Sequence, residues 1–145
     1  MSYVANNYKT NTDAPENDWV CTRVSSLGPY AEKPPVDKRG YADFCGQCVS
    51  YVTRVCTTIP VRTADWKKGR QVRGATDLVA GTAIATFNAD GHYYGHAAIY
   101  ESQTVAGINV WDQWITGKGK PIGPRLIRWA GTGISNDGDG FYVVD

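Results

Sequence analysis

Three residues of this chain can do thiol chemistry together. Cys48 lies in FCGQCVSYVTRVC (44–56), where it opens an apolar helical pattern. His96 heads the alternating run GHAAIYES (95–102), and Asp112 follows a strand valine by two residues in VWDQW (110–114). Cysteine, histidine and acid in that order, on a helix and two strands, suit a nucleophilic thiol. A base must take the thiol proton, a carboxylate must hold that base in one tautomer, and a helix N-terminus must favour the thiolate. The backbone N–H of Cys48 is then a natural oxyanion donor, and Gly46 allows a close approach of substrate to backbone. The competing reading of Cys48 alone is a small buried residue.

The chain has two histidines. His96, Ala98 and Tyr100 share one strand face, from which neutral His96 can take the thiol proton and later return it to a leaving amine. His92, in the turn NADGHYYG (88–95), is expected to be exposed. On GINVWDQW (107–114), Ile108, Val110, Asp112 and Trp114 share a face. If that strand lies beside the His96 strand, Asp112 reaches one ring nitrogen and stabilises the imidazolium. Gln113 points to the opposite face and is disfavoured. The competing readings are a hydrogen-bonded core histidine and a carboxylate at a strand end.

Two other chemistries use the same residues. Cys45-x-x-Cys48 with His92 and His96 resembles two halves of a zinc site, but the gap between the halves is far longer than a zinc-finger spacing. Residues i and i+4 on a strand are also about 13 Å apart, too far for one metal. A redox Cys-x-x-Cys pair lacks the surrounding βαβ pattern and leaves His96 and Asp112 without a role. No metal or organic cofactor is required.

These residues need one helix and several strands to position them. Val49, Val52, Cys56 and Ile59 recur at helical spacing, which predicts a helix from Gln47 to about Thr58, closed by Pro60. Residues 81–87, 96–102, 107–114, 125–129 and 140–145 are short, β-branched and aromatic, and predict strands. Val105-Ala106-Gly107 suggests a hairpin between the second and third of them. Residues 116–124 and 130–140 are expected as long glycine-rich loops. So is 28–43, with Gly28-Pro29 and Pro34-Pro35, ending at Tyr41. A helix followed by an antiparallel meander is an α+β arrangement, the nucleophile helix packed on the sheet.

The 145 residues are expected to form a single domain, 1–145, with residues 1–18 as a loose polar arm. A net charge of +1 gives no basic surplus for nucleic acid, and the 42% apolar fraction argues against disorder. Sixteen Gly, nine Tyr and five Trp suit tight turns and an aromatic cleft for an extended polar ligand. No stretch approaches the roughly 20 apolar residues of a membrane span. The N-terminus has neither basic n-region nor apolar h-region, so the expectation is a mature form, a cytosolic protein, or one exported without an N-terminal signal. Four cysteines leave three beside Cys48. Cys45 and Cys56 would lie roughly 15 Å apart along a helix, too far to bridge. Cys21 is expected to pair with Cys45 or with Cys56, the alternative being four reduced cysteines.

Gly46-Gln47-Cys48-Val49 followed by Gly95-His96-Ala97-Ala98-Ile99-Tyr100 resembles the papain-like peptidoglycan amidases of CHAP and NlpC type. The phrases TADWKKGRQV (63–72), GTAIATF (81–87), YYGHAAIYESQ (93–103), GINVWDQW, GKGKPIG (117–123) and NDGDGFYVVD (136–145) narrow the resemblance. They are similar to the second family of type VI secretion amidase effectors and to its secreted antibacterial relatives in ticks and mites. The resemblance covers roughly residues 40–145. It implies a papain-like fold and a cysteine peptidase that degrades cell walls by cutting stem peptides. Its catalytic Cys and His fall on Cys48 and His96; Asp112 rests on the strand argument. The bond it implies is the meso-diaminopimelate–D-alanine cross-link. It further implies a secreted or exported protein acting on peptidoglycan in a target-cell periplasm. A bacterial effector would have an immunity protein as partner; a secreted animal version would have a signal peptide and would fit the extra cysteines.

Trp111, Trp114, Tyr93 and Tyr94 are candidates to wall the groove, and the basic loop Lys118–Lys120 is a candidate to meet stem-peptide carboxylates. Tyr41 is a candidate second oxyanion donor. The alternative functions are a non-catalytic peptidoglycan- or partner-binding module and a thiol hydrolase acting on another amide.

Overall fold

The computed structural model describes residues 2–34 and 43–145. Among them, one α-helix, α1 (Cys48–Val55), precedes six strands: β1 (Lys68–Gln71), β2 (Ala83–Phe87), β3 (Tyr93–Gln103), β4 (Gly107–Trp114), β5 (Lys120–Arg128) and β6 (Phe141–Val144). They form one antiparallel sheet in the order β1-β6-β2-β3-β4-β5. β2 to β5 run as the expected meander, β3 and β4 joined by the expected hairpin, but the fifth expected strand, β6, returns to pair with β2 instead of β5; the architecture is α+β.

The apolar runs of β2 and β3 are nearly continuous because the sheet is covered on both faces. On one face Val52, Val55 and Cys56, with Ile59 just beyond the helix, pack with Ala83, Ala85, Ala97, Ile99 and Trp111. On the other, Ile84, Ala98, Tyr100, Ile108, Val110 and Ile127 form a second cluster with Val72 and Phe141, closed by Leu78 and Trp129. β3 therefore runs through the middle of the molecule and delivers His96 to a buried position.

The helix is shorter than expected and stops at Val55, four residues clear of Pro60. Its end and the turn that follows are covered by one side chain, Arg23, which also reaches the Thr53 carbonyl at 3.5 Å. The Arg23 guanidinium donates to the carbonyl of the C-cap Cys56 at 3.0 Å and to that of Ile59 beyond it at 2.9 Å, so these groups are satisfied without further helical turns. β5 begins at Lys120 and takes up half of the expected 116–124 loop. Pro121 and Pro124 are tolerated because β5 is the last strand of the sheet, where a missing N–H costs least. β1 was not expected as a strand, because KGRQ is exposed and carries no apolar alternation.

Residues 1–18 were expected as a loose arm, and in the structure residues 2–18 pack on the sheet. Val4 bridges Thr82, and Ala5 N–H donates to the Gly81 carbonyl at 2.8 Å. Tyr8 lies edge-on to Trp111 at 5.8 Å and donates its hydroxyl to Glu101 at 2.9 Å. Ala5, Tyr8 and Ala14 are buried. Farther along, Asn17 and Asp18 exchange backbone hydrogen bonds with Ile122 on the outer edge of β5. These anchors follow no helical or strand period, and so they read as polar loop. Cys21 and Cys45 form a disulfide, one of the two expected pairs, and Cys56 is buried as a free thiol. Tyr41 lies outside the described residues.

Candidate active site

Cys48 occupies the first position of α1, with Gln47 as an extended N-cap. The turn that delivers it is fixed from three directions. Gly46 has φ +81°, a left-handed value that favours glycine, and a Cβ there would lie 2.6 Å from Ile115 Cδ1. The close approach at Gly46 is thus by Ile115 rather than by a substrate. Gly46 N–H donates to the Val20 carbonyl at 2.9 Å. Gln113, fully buried on β4, donates from Nε2 to the carbonyls of Val20 and Gln47 at 2.9 Å each and accepts from Val20 N–H at 3.1 Å.

His96 is placed by the bend that Gly95 makes in β3. Gly95 has φ +110°, and any Cβ would collide with Thr86 and Ile134. His96 N–H then donates to Thr86 Oγ1 at 2.9 Å. Its Nε2 lies 2.8 Å from Asp112 Oδ2, across the β3–β4 pairing whose register sets Tyr100 against Val110. With Nε2 donating to Asp112, Nδ1 is the nitrogen left for the Cys48 thiol. Trp114 meets the His96 ring edge-on at 6.2 Å.

Asp112 is fully buried among cations. Arg125 reaches its Oδ2 from Nε at 2.9 Å and from Nη2 at 2.8 Å, and Lys120 Nζ lies 3.1 Å from Oδ1. Arg125 also donates from Nη1 to Asn136 at 2.9 Å and lies over the Trp114 ring at 5.0 Å.

These contacts set the protonation states. Burial opposes charge on Asp112, but His96, Arg125 and Lys120 outweigh it and hold the carboxyl at about 2. Burial likewise opposes an imidazolium at His96, yet the hydrogen bond to Asp112 and the neighbouring Cys48 raise it to about 9. Burial would push the Cys48 thiol up; His96 above all, then Tyr93 and the Ala97 backbone, bring it below its ordinary value. Tyr93 Oη lies 3.5 Å from Cys48 Sγ and 3.3 Å from the Gly95 carbonyl. Burial, then the Cys48 charge, pushes its phenol up, so it stays a donor. The arrangement favours a thiolate–imidazolium pair in which the charged thiol has several donors around it.

The structure therefore brings Cys48, His96 and Asp112 together. Trp114 and Tyr93 line clefts beside Cys48. Trp111 belongs to the core, and Tyr94 is exposed outside both clefts. Lys120 is not free to meet a ligand, since it donates to the carbonyls of Asp112 and Gly123 at 2.8 Å each. Sequence reasoning missed Arg125, Gln113 and the bonding of Tyr93. An arginine inside the apolar strand RLIRW was the one signal for Arg125.

Two clefts meet at Gln47, Cys48 and Gly95. One, about 440 Å³, is lined further by His96, Trp114, Thr116, Arg125 and Asn136. The other, about 690 Å³, is lined further by Asp43, Phe44, Val49, Val61, Arg62 and Tyr93.

The profile of the family domesticated amidase effector 2 matches residues 22–144. The chain is 40% identical over 103 residues to domesticated amidase effector 2 of Ixodes scapularis, covering 68% of this chain and 70% of that protein. It is 29% identical over 125 residues to the type VI secretion amidase effector 2 protein of Salmonella typhi, covering 75% of this chain and 90% of that one. A solved structure of type 6 secretion amidase effector 2 superposes with a TM-score of 0.66 at 24% identity, over 99% of this chain and 94% of the other, and so has the same fold. The chain belongs to the domesticated amidase effector 2 family, amidase effectors built on an α+β papain-like fold.

Proposed function

We propose that this protein is a cysteine amidase that hydrolyses a peptide bond of bacterial peptidoglycan, the meso-diaminopimelate–D-alanine cross-link, with Cys48 as nucleophile, His96 as base and acid, and Asp112 as the residue that orients His96. The observation that carries the reading is His96 held between Asp112, at 2.8 Å, and the thiol it acidifies, that of Cys48, which lies where two clefts meet.

In this mechanism the Cys48 thiolate attacks the carbonyl carbon. The Cys48 N–H and the Tyr93 hydroxyl donate to the oxyanion. The imidazolium of His96 gives its proton to the departing amine, and a thioester remains on Cys48. Neutral His96 then takes a proton from water, which hydrolyses the thioester and restores the thiolate. Asp112 stays ionised throughout, since Arg125 and Lys120 keep it so.

The site of action in this reading is the periplasm of a target bacterium, reached by secretion. The Cys21–Cys45 disulfide suits such an oxidising destination. The similarity to a type VI secretion effector adds an immunity protein as the partner of a bacterial copy.

Purified sacculi incubated with the protein and analysed by mass spectrometry test the reading. The expected result is loss of cross-linked dimers with gain of the two uncross-linked stems. Cys48→Ala should abolish this while the protein stays folded by circular dichroism. Sacculi left intact by the wild type, or full activity in Cys48→Ala, would overturn the assignment.

A further inference from the structure

Resting on that reading, we propose that the two clefts divide the substrate by its chemistry. The acyl half of the scissile amide lies in the cleft of Asp43, Phe44, Val49 and Arg62. The departing amine half lies in the cleft of Trp114, Thr116 and Asn136. Asp43 and Arg62 together select a stem residue that carries both an ammonium and a carboxylate.

The polarity follows from which cleft His96 lines. When the tetrahedral intermediate collapses, the departing nitrogen must receive the proton that His96 holds, so the amine leaves on the His96 side. His96 lines the smaller cleft and not the larger. Cys48 lines both, as the atom that keeps the acyl group must. The retained acyl half therefore extends into the larger cleft.

The chemical preference follows from the linings. Among the described residues, the larger cleft combines apolar walls, Phe44, Val49 and Val61, with one carboxylate, Asp43, and one guanidinium, Arg62. Asp43 is held by Ser25, whose hydroxyl donates to Oδ2 at 2.7 Å, and Arg62 is exposed at the head of the turn Thr63–Asp65. A residue with a hydrocarbon stem ending in an ammonium and a carboxylate matches all three features; diaminopimelate is such a residue. In the smaller cleft the guanidinium of Arg125 is already engaged by Asp112, Ser135 and Asn136. That side offers the Trp114 ring and neutral polar groups, so its selection against charge is weaker.

Two sets of assays test this. In the first, synthetic stem peptides share one leaving amine and differ in the residue before the scissile D-alanine: diaminopimelate, lysine or norleucine. Wild-type kcat/KM should fall in that order, by about tenfold per lost charge. Asp43→Asn should depress diaminopimelate and lysine peptides but spare norleucine, and Arg62→Gln should depress the diaminopimelate peptide alone. In the second, Thr116→Trp should slow a peptide with a large leaving amine and spare the same acyl group carried as a methylamide. Val61→Trp should slow both. Equal effects of Asp43→Asn and Arg62→Gln on all three peptides, or a reversed pattern for Thr116→Trp and Val61→Trp, would overturn the assignment while leaving the amidase reading standing. Failure of the wild type to cleave any of these peptides would overturn both.

Discussion

Asp112 and Gln113 are consecutive residues of β4 that serve opposite faces of the sheet. Asp112 Oδ2 lies 2.8 Å from His96 Nε2, and Gln113 Nε2 lies 2.9 Å from the carbonyl of Gln47, the residue before Cys48. One peptide step thus fixes both the histidine and the approach to the thiol. The alternation of a strand, which made Gln113 unattractive as an orienter of His96, is what makes it available to Cys48.

Gln113→Ala should therefore slow the chemistry as well as destabilise the fold. It takes one donor from each of the Val20 and Gln47 carbonyls and leaves the buried Val20 N–H without a partner, at about 1–3 kcal/mol for that unsatisfied group. The expected outcome is a lower thermal midpoint, a lower kcat with little change in KM, and slower alkylation of Cys48 by iodoacetamide in protein that remains folded. A folded variant with wild-type alkylation and kcat would show that Gln113 supports the fold alone.

Asp112→Asn should weaken activity less than Cys48→Ala or His96→Ala does, because it perturbs the base without removing a reacting atom. It also leaves Arg125 and Lys120 without their carboxylate, so a loss of several kcal/mol in stability is expected. Asp112 contributes to the raised pKa of His96, so the alkaline limb of the pH–rate profile should move down from about 9.

The pH dependence of the wild type follows from the same shifts. The thiolate–imidazolium pair needs Cys48 deprotonated, which His96 favours by holding the thiol below its ordinary value, and His96 protonated, which fails as pH passes about 9. For stability, the folded pKa of His96 lies above its ordinary value, so its contribution is complete below about 6.5 and is lost as pH rises through about 9. Asp112 works in the opposite sense: its contribution is present above about 3.8 and is lost as pH falls toward about 2. Cys48 alkylation rates and chemical denaturation midpoints, each taken from pH 3 to about 10, measure the two profiles.

Tyr93→Phe removes a hydroxyl 3.5 Å from the Cys48 sulfur. Its pKa lies above the ordinary phenol value, so the proton it would donate is present throughout the working range. The variant should alkylate more slowly at pH 6 than the wild type and lose about a hundredfold in kcat, the lower end of the range for one oxyanion donor. Unchanged kcat would remove Tyr93 from the oxyanion site and leave the Cys48 N–H.

The sequence carried the periodic parts of this site. The first turn of α1, the face of β3 and the face of β4 follow from spacing, and they are enough to bring Cys48, His96 and Asp112 together. What spacing does not carry is contact between segments distant in the chain. Gln113 meets Val20, 93 residues away, and Tyr8 meets Glu101 across the same separation. Arg23 reaches past the end of α1 to Ile59. Lys120 was read as part of a basic loop because its neighbours are glycines and prolines, and it is turned inward by Asp112, eight residues earlier on the adjacent strand. The N-terminal residues were read as an arm because Ala5, Tyr8 and Ala14 follow no period, although each is buried.

The pairing of Asn17 and Asp18 with Ile122 has a consequence for how this chain meets others. An open sheet edge is a template on which further chains can add. Here the outermost strand has its third residue, Ile122, already hydrogen-bonded to the same chain, with Pro121 on one side and Pro124 close by on the other. At the far edge, β1 presents Lys68 and Arg70 and pairs with β6 through an irregular register. The sheet that holds Cys48, His96 and Asp112 is thereby guarded at both margins against strand-by-strand growth into aggregates.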